Sequence, residues 1–163
     1  LATNVALRYN AVADEMEIKE SITAPDTEAK VLTKSPEIFV KILDNLYIFA
    51  PYKGGIEGGG YFQVLYEGTT VDLYKKLKKD FKPERKATSS ITTDTPAKFT
   101  DDITYFLARK DGKFYEMPRS RNKKLKVFGT KKNEMKDYIK ENRLDVNDEK
   151  DLLKAVKHYD GNL

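Results

Sequence analysis

The chain contains no cysteine, no tryptophan and a single histidine, His158, and each scarcity removes a chemistry. Without thiols there are no disulfide frameworks, no thiolate nucleophile and no Cys-based zinc or iron–sulfur site. The lack of Cys does not fix a compartment, because exported domains of this size can rest on a hydrophobic core alone. A Ser-His-Asp triad or a multi-His metal site within one chain would have to be built around His158. The missing Trp weakens sugar-stacking and cation-cage readings, although ten Tyr and eight Phe remain. Nine Gly and six Pro in 163 residues exclude collagen-like and low-complexity character, and a 39% hydrophobic fraction argues against wholesale disorder. The longest apolar runs are only a few residues, so no transmembrane segment is expected. The chain opens at Leu1, with no basic, apolar and small-residue leader pattern after it. The expectation is that a leader has been removed or that the piece begins here.

Net charge is +4, but its sign is uneven along the chain. Residues 1–70 carry six Lys/Arg against ten Asp/Glu, residues 109–132 carry ten against two, and residues 133–163 carry six against eight. A basic band on a nearly balanced chain is a weaker nucleic-acid signal than a uniformly basic domain.

The first two thirds of the chain read as short strands. Glu15 to Lys19 alternates, with Met16 and Ile18 on one face. Glu37 to Leu43 alternates too, with Ile38, Val40 and Ile42 together, and Asp44-Asn45 is a two-residue turn candidate before Leu46 to Tyr52. Tyr61 to Glu67 is rich in residues that suit a pleated surface. Ile103 to Arg109 and Lys113 to Met117 flank Lys110-Asp111-Gly112, a strong hairpin signal. Val71 to Phe81 fits strand parity and also a helical stripe; a Lys-rich strand near a sheet edge is the preferred reading. The period then changes. Met135, Tyr138 and Ile139 follow helical spacing, with Thr130 or Asn133 as N-cap. Leu152, Leu153, Val156 and Tyr159 make a second stripe, with Asn147 as N-cap and Gly161 at the stop. The expectation is one α+β domain over 1–163: a mostly antiparallel, twisted meander over 1–128 and a pair of short helices over 129–163 packed on it.

Few residue patterns point to chemistry. Lys53-Gly54-Gly55-Ile56-Glu57-Gly58-Gly59-Gly60 lacks the Lys-Ser/Thr ending and the following helix of a phosphate loop, so it reads as a hairpin loop or a flap. Tyr52, Lys53 and Tyr61 bracket it and are the ligand-binding candidates, since they combine aromatic area with a charge. Asp145, Asn147, Glu149 and Asp151 alternate like calcium ligands, but Lys150 stands where an EF-hand needs Gly. Asp14, Glu15 and Glu17, or Asp101 and Asp102, could pair for acid–base work, yet no pocket that would raise a pKa is evident. Solvated charge is the simpler reading. No catalytic, metal or cofactor site is expected.

Two Lys/Arg-rich segments, 75–86 and 119–132, offer an anion-binding alternative through Lys75, Lys76, Lys78, Lys79, Arg119, Arg121, Lys123 and Lys124. It wants aromatic platforms for bases, and Phe81, Phe114 and Phe128 lie nearby, though each sits where a core residue is expected.

Several stretches together carry a resemblance. They are Leu7-Arg8-Tyr9-Asn10 through Asp14-Glu15-Met16-Glu17-Ile18, Gly60-Tyr61-Phe62-Gln63-Val64-Leu65-Tyr66-Glu67-Gly68, Leu73-Tyr74-Lys75-Lys76-Leu77-Lys78-Lys79-Asp80-Phe81, and Tyr138-Ile139-Lys140-Glu141-Asn142-Arg143-Leu144 with Asp151-Leu152-Leu153. The whole resembles a group of uncharacterised exported proteins of Bacteroidota-type bacteria. That resemblance implies export to the periplasm, cell envelope or exterior, and supplies no activity and no site residues. Members carry further strand-forming sequence ahead of the Leu-Arg-Tyr-Asn element, so a sheet edge is expected to be missing here. The function expected is a non-enzymatic binding domain for a hydrophobic small molecule or a partner protein, with an apolar cleft between sheet and helices as one possible seat. Binding of nucleic acid or another anionic polymer is the alternative.

Overall fold

The computed structural model describes residues 5–51, 59–89 and 91–162. The chain sorts into two compact units, Leu1–Thr33 with Leu77–Ile103, and Lys34–Lys76 with Thr104–Leu163. They are described in turn.

In the first unit, β1 (Ala6–Asn10) and β2 (Glu15–Lys19) form an antiparallel hairpin, and β3 (Lys30–Val31) adds to β2. The register pairs Leu7 with Ile18 and Tyr9 with Met16, so the apolar parity read from Glu15 to Lys19 becomes one face of this sheet. The connecting turn is fixed by Asn10, whose Oδ1 accepts from the Val12 and Ala13 amides at 3.1 Å each. Arg8, Asn10 and Glu17 occupy the opposite, polar face, where Arg8 Nε and Asn10 Nδ2 both donate to Glu17 at 2.8 Å. The outer parts of the long strands β7 (Val71–Lys82) and β8 (Lys98–Arg109) belong to the same unit. The Tyr9 hydroxyl donates to the Leu77 carbonyl at 3.1 Å, and the Lys79 amide to the Ala11 carbonyl at 3.0 Å.

The second unit holds β4 (Phe39–Ile42), β5 (Asn45–Ala50), β6 (Gly60–Glu67), the inner parts of β7 and β8, and β9 (Phe114–Glu116). The strands follow one another in space as β4-β5-β6-β7-β8-β9, an antiparallel meander. The Lys110-Asp111-Gly112 hairpin forms as read, with Gly112 at φ 82° and its amide donating to the Arg109 carbonyl at 2.9 Å. The β4–β5 turn lies one residue earlier than the sequence suggests. Ile42 pairs with Asn45, which leaves Leu43-Asp44 as the loop and Leu43 at φ 54°. Residues 71–81 are indeed strand; in the strand order β7 lies between β6 and β8 and is not an edge strand, its pairing with β6 reaching Lys75.

Helix begins ahead of residue 129. A short α1 (Arg121–Lys124) runs into a 3-10 stretch (Leu125–Lys131), then α2 (Lys132–Glu141) and α3 (Glu149–Gly161). No side-chain cap starts α2, because the chain enters it already wound; Lys131 occupies the capping position instead of Thr130 or Asn133. The cap of α3 is Asp148, not Asn147: its side chain accepts from the Lys150 and Asp151 amides at 2.9 and 3.0 Å. The last turn of α2 closes with Arg143 at φ 53°, its amide on the Lys140 carbonyl and the Leu144 amide on the Ile139 carbonyl. This is the 6→1, 5→2 pattern that Gly usually completes, with buried Leu144 and Ile139 supplying its hydrophobic contact. Among the described residues no helix is long and apolar enough to cross a membrane.

Sheet and helices of this unit share one core. Leu73 and Leu107 from the strands meet Phe128, Met135, Leu152 and Val156 from the helical part, all essentially inaccessible. Each such side chain stabilises the fold by roughly 1.5–3 kcal/mol. These side chains pack directly between the strands and the helical part.

One polar contact ties the last helix to the sheet. Asp160, buried near the end of α3, accepts from the amides of Thr69, Thr70 and Val71 at 2.8, 2.7 and 3.0 Å and from the Tyr66 hydroxyl at 3.0 Å. Asp72 completes the turn, accepting from the Gly68 amide at 3.1 Å and from Lys110 Nζ at 2.7 Å. A Cβ on Gly68 would collide with the Asp160 carboxylate and the Val71 carbonyl, so only Gly admits this close approach. Burial pushes the Asp160 pKa up, but the three backbone donors and Tyr66 outweigh it and hold the group below the ordinary aspartate value.

Arg143→Gly should raise stability by about 0.5–1 kcal/mol, read as a higher urea midpoint at unchanged slope, because it removes the side-chain cost of a positive φ. Asp160→Asn should lower stability at pH 7 by about 3 kcal/mol, since an amide presents one acceptor oxygen and turns donors toward donors. Because the folded-state pKa of Asp160 is depressed, its contribution is present at neutral pH and is lost as pH falls below about 4; the variant's acid limb should be flatter. Gly68→Ala should be far from additive with Asp160→Asn in a double-mutant cycle.

Candidate functional site

Tyr52, Lys53 and the loop up to residue 58 lie outside the described residues. Tyr61 is 1% exposed on β6, among the buried core residues, with its ring edge-on to Phe49 at 5.5 Å.

The basic segments are distributed between the units. Lys75 and Lys76 belong to the second. Lys75 Nζ pairs with Glu149 at 2.7 Å, and Lys76 Nζ lies 4.9 Å from the centre of the Phe62 ring. Lys78 and Lys79 belong to the first, where Lys79 pairs with Asp101 at 3.2 Å and Lys78 approaches Asp80 at 3.9 Å. Lys124 turns inward. It is 5% exposed, donates to the Val146 carbonyl at 2.8 Å and to Asn147 Oδ1 at 3.0 Å, and burial lowers its pKa. It therefore supports the α2–α3 connection and offers nothing to an external anion. Arg119, Arg121 and Lys123 are exposed, as is Lys126 beyond them.

Of the three aromatics considered as platforms, Phe128 is core and Phe114 packs against a small cluster around Phe62. Phe81 is the exception to the expected burial. It is 57% exposed near the outer end of β7, with Phe99, 58% exposed, at a centroid distance of 5.3 Å. The β6–β7 pairing runs only as far as Lys75, well short of Phe81.

Among the carboxylate candidates, Asp14, Glu17 and Asp101 are engaged in structure. Hydrogen bonds from Asn10 and Arg8 hold the Glu17 pKa below its ordinary value, the reverse of what a general acid needs. Asp14 accepts from the Tyr9 hydroxyl at 2.8 Å. In the calcium-like series, Asp145 accepts from the Asn147 amide, Asp151 from the Asp145 amide, and Glu149 from Tyr105 and Lys75. These bonds shape the α2–α3 connection and leave the carboxylates divergent.

A concave site does exist, in the first unit. A cleft of about 370 Å³ opens on the apolar face of the β1–β2–β3 sheet, lined by Val5, Ile18, Lys19, Glu20, Glu28 and Lys30. The register explains its make-up: Ile18 pairs with Leu7 on one side and with Lys30 on the other, so an apolar side chain and an ammonium stand together on one face. Lys19 is held from behind, its Nζ donating to the Ala24 carbonyl at 2.6 Å and to Asp26 at 2.9 Å. Glu20, Glu28 and Lys30 are exposed around it.

No family model matches the chain, and neither a curated protein nor a solved structure is similar enough to carry an argument.

Proposed function

We propose that the protein is a non-enzymatic binding domain whose ligand site is the cleft on the β1–β2–β3 sheet. The observation that carries this reading is the cleft itself: at about 370 Å³ it falls within the size of small-molecule sites, with Val5 and Ile18 as apolar lining and charges beside them. The engagement of Glu17, Asp72, Glu149 and Asp160 in structural hydrogen bonds is consistent with binding without chemistry. Export, implied by the sequence resemblance, belongs to the same proposal and is tested by fractionating the source cells. In a titration of the full chain with neutral 3-methylbutan-1-ol, the methyl resonances of Val5 and Ile18 should shift saturably, and Ile18→Glu should abolish the effect. Resonances unmoved by this alcohol and by its charged analogues alike would overturn the reading.

One observation favours a second reading, an anionic polymer bound along residues 119–132. No carboxylate interrupts the sequence between Met117 and Asn133, and Arg121, Lys123 and Lys126 are exposed with no ion-pair partner among the described residues. Neutralising these three to Gln should shift heparin elution to clearly lower salt. Elution unchanged by the triple variant would remove this reading.

A further inference from the structure

We infer that the cleft takes a small zwitterion with an apolar side chain, for which a branched-chain α-amino acid is the simplest form; this rests on the binding reading above. The argument is one of charge complementarity. Lys19 lines the cleft, but its ammonium is already committed to Ala24 and Asp26, which leaves Glu20, Glu28 and Lys30 as the charges able to turn to a ligand. Lys30 stands directly across from Ile18 in the β2–β3 register, so an anionic group held by Lys30 brings its apolar neighbour over Ile18. Glu20 and Glu28 flank those two positions, each two residues along the chain from one of them. A fatty acid would satisfy Lys30 and meet two like charges. An amine would satisfy the glutamates and meet Lys30. A neutral amphiphile would use neither sign. A molecule carrying an ammonium and a carboxylate on an aliphatic body uses both signs and fills the apolar surface between them.

These charges are exposed, so each contact should be worth at most about fivefold in affinity and should weaken with salt. The test compares four ligands of nearly one shape by the Val5 and Ile18 methyl shifts of the full chain: L-leucine, 4-methylpentanoate, 3-methylbutylamine and 3-methylbutan-1-ol. Leucine should bind roughly fivefold more tightly than the acid or the amine. Lys30→Gln should bring leucine down to the level of the amine, and the Glu20→Gln/Glu28→Gln pair should bring it down to the level of the acid. All three positions are exposed, so the melting temperature should be unchanged and loss of binding is not loss of fold. If the alcohol binds and leucine binds no better than the singly charged ligands, the zwitterion inference is overturned while the cleft remains a binding site. Should none of the four shift these methyls, both inferences fall.

Discussion

The second unit depends on a carboxylate that water does not reach freely. Taking Asp160 out of solvent costs several kcal/mol, and that cost is recovered only because four donors converge on it. Hydrogen bonds to a charged group stabilise by about 1.5–3 kcal/mol each, so the set outweighs the desolvation, and the depressed pKa is the sign that it does. The consequence is geometric as well as energetic. Three successive amides at the β6–β7 turn, those of Thr69, Thr70 and Val71, converge on one acceptor. Asp160 supplies their acceptor from the end of α3, and thereby fixes where the last helix ends against the sheet.

This arrangement makes Gly68 and Asp160 a single unit, although they are far apart in the sequence. The turn must be bare at Gly68 for the carboxylate to approach, and Asp72 must take the Gly68 amide because Asp160 does not. Lys110 then answers Asp72 from the β8–β9 turn, so two turns and one helix end share one connected set of polar contacts. Apolar burial by Leu73, Phe128 or Leu152 supplies most of the stabilisation, but it is non-directional. The polar contacts fix which orientation of the helices that burial accepts.

What the sequence made legible was whatever repeats locally. The alternation in Glu15 to Lys19, the Asp-Gly hairpin at 111–112 and the stripe from Leu152 to Tyr159 each announce an element within a few residues, and each is found. The misplacements come from side chains recruited at a distance. Asn147 was a good local cap, but its Oδ1 is taken by Lys124, and Asp148 caps the helix in its place. Lys124 looked like one more exposed cation of a basic run, yet a buried carbonyl at Val146 draws it inward. The β4–β5 turn slipped by one residue because pairing of Ile42 with Asn45 decided the register, and Leu43 tolerates a positive φ there while fully in solvent. The lysines of β7 suggested an edge; Glu149 and the Phe62 ring answer Lys75 and Lys76, which makes an interior position acceptable.

The candidate site was illegible for a related reason. Val5, Ile18 and Lys30 lie on three separate strands or their flanks, and no spacing in the chain connects them; only the two registers that place Ile18 between Leu7 and Lys30 do so. The glycine run, by contrast, is conspicuous in the sequence and sits beside Tyr61, which the fold has buried. Conspicuous residues and residues available to a ligand are different sets in this chain, because its most distinctive charges are committed to contacts within the fold. Asp160, Lys124 and Glu17 are held in direction by neighbouring groups. Glu20, Glu28 and Lys30 are unremarkable in sequence, and they are the ones the β2–β3 register leaves facing solvent around an apolar surface. Recognition, on this reading, falls to the charges that folding did not use.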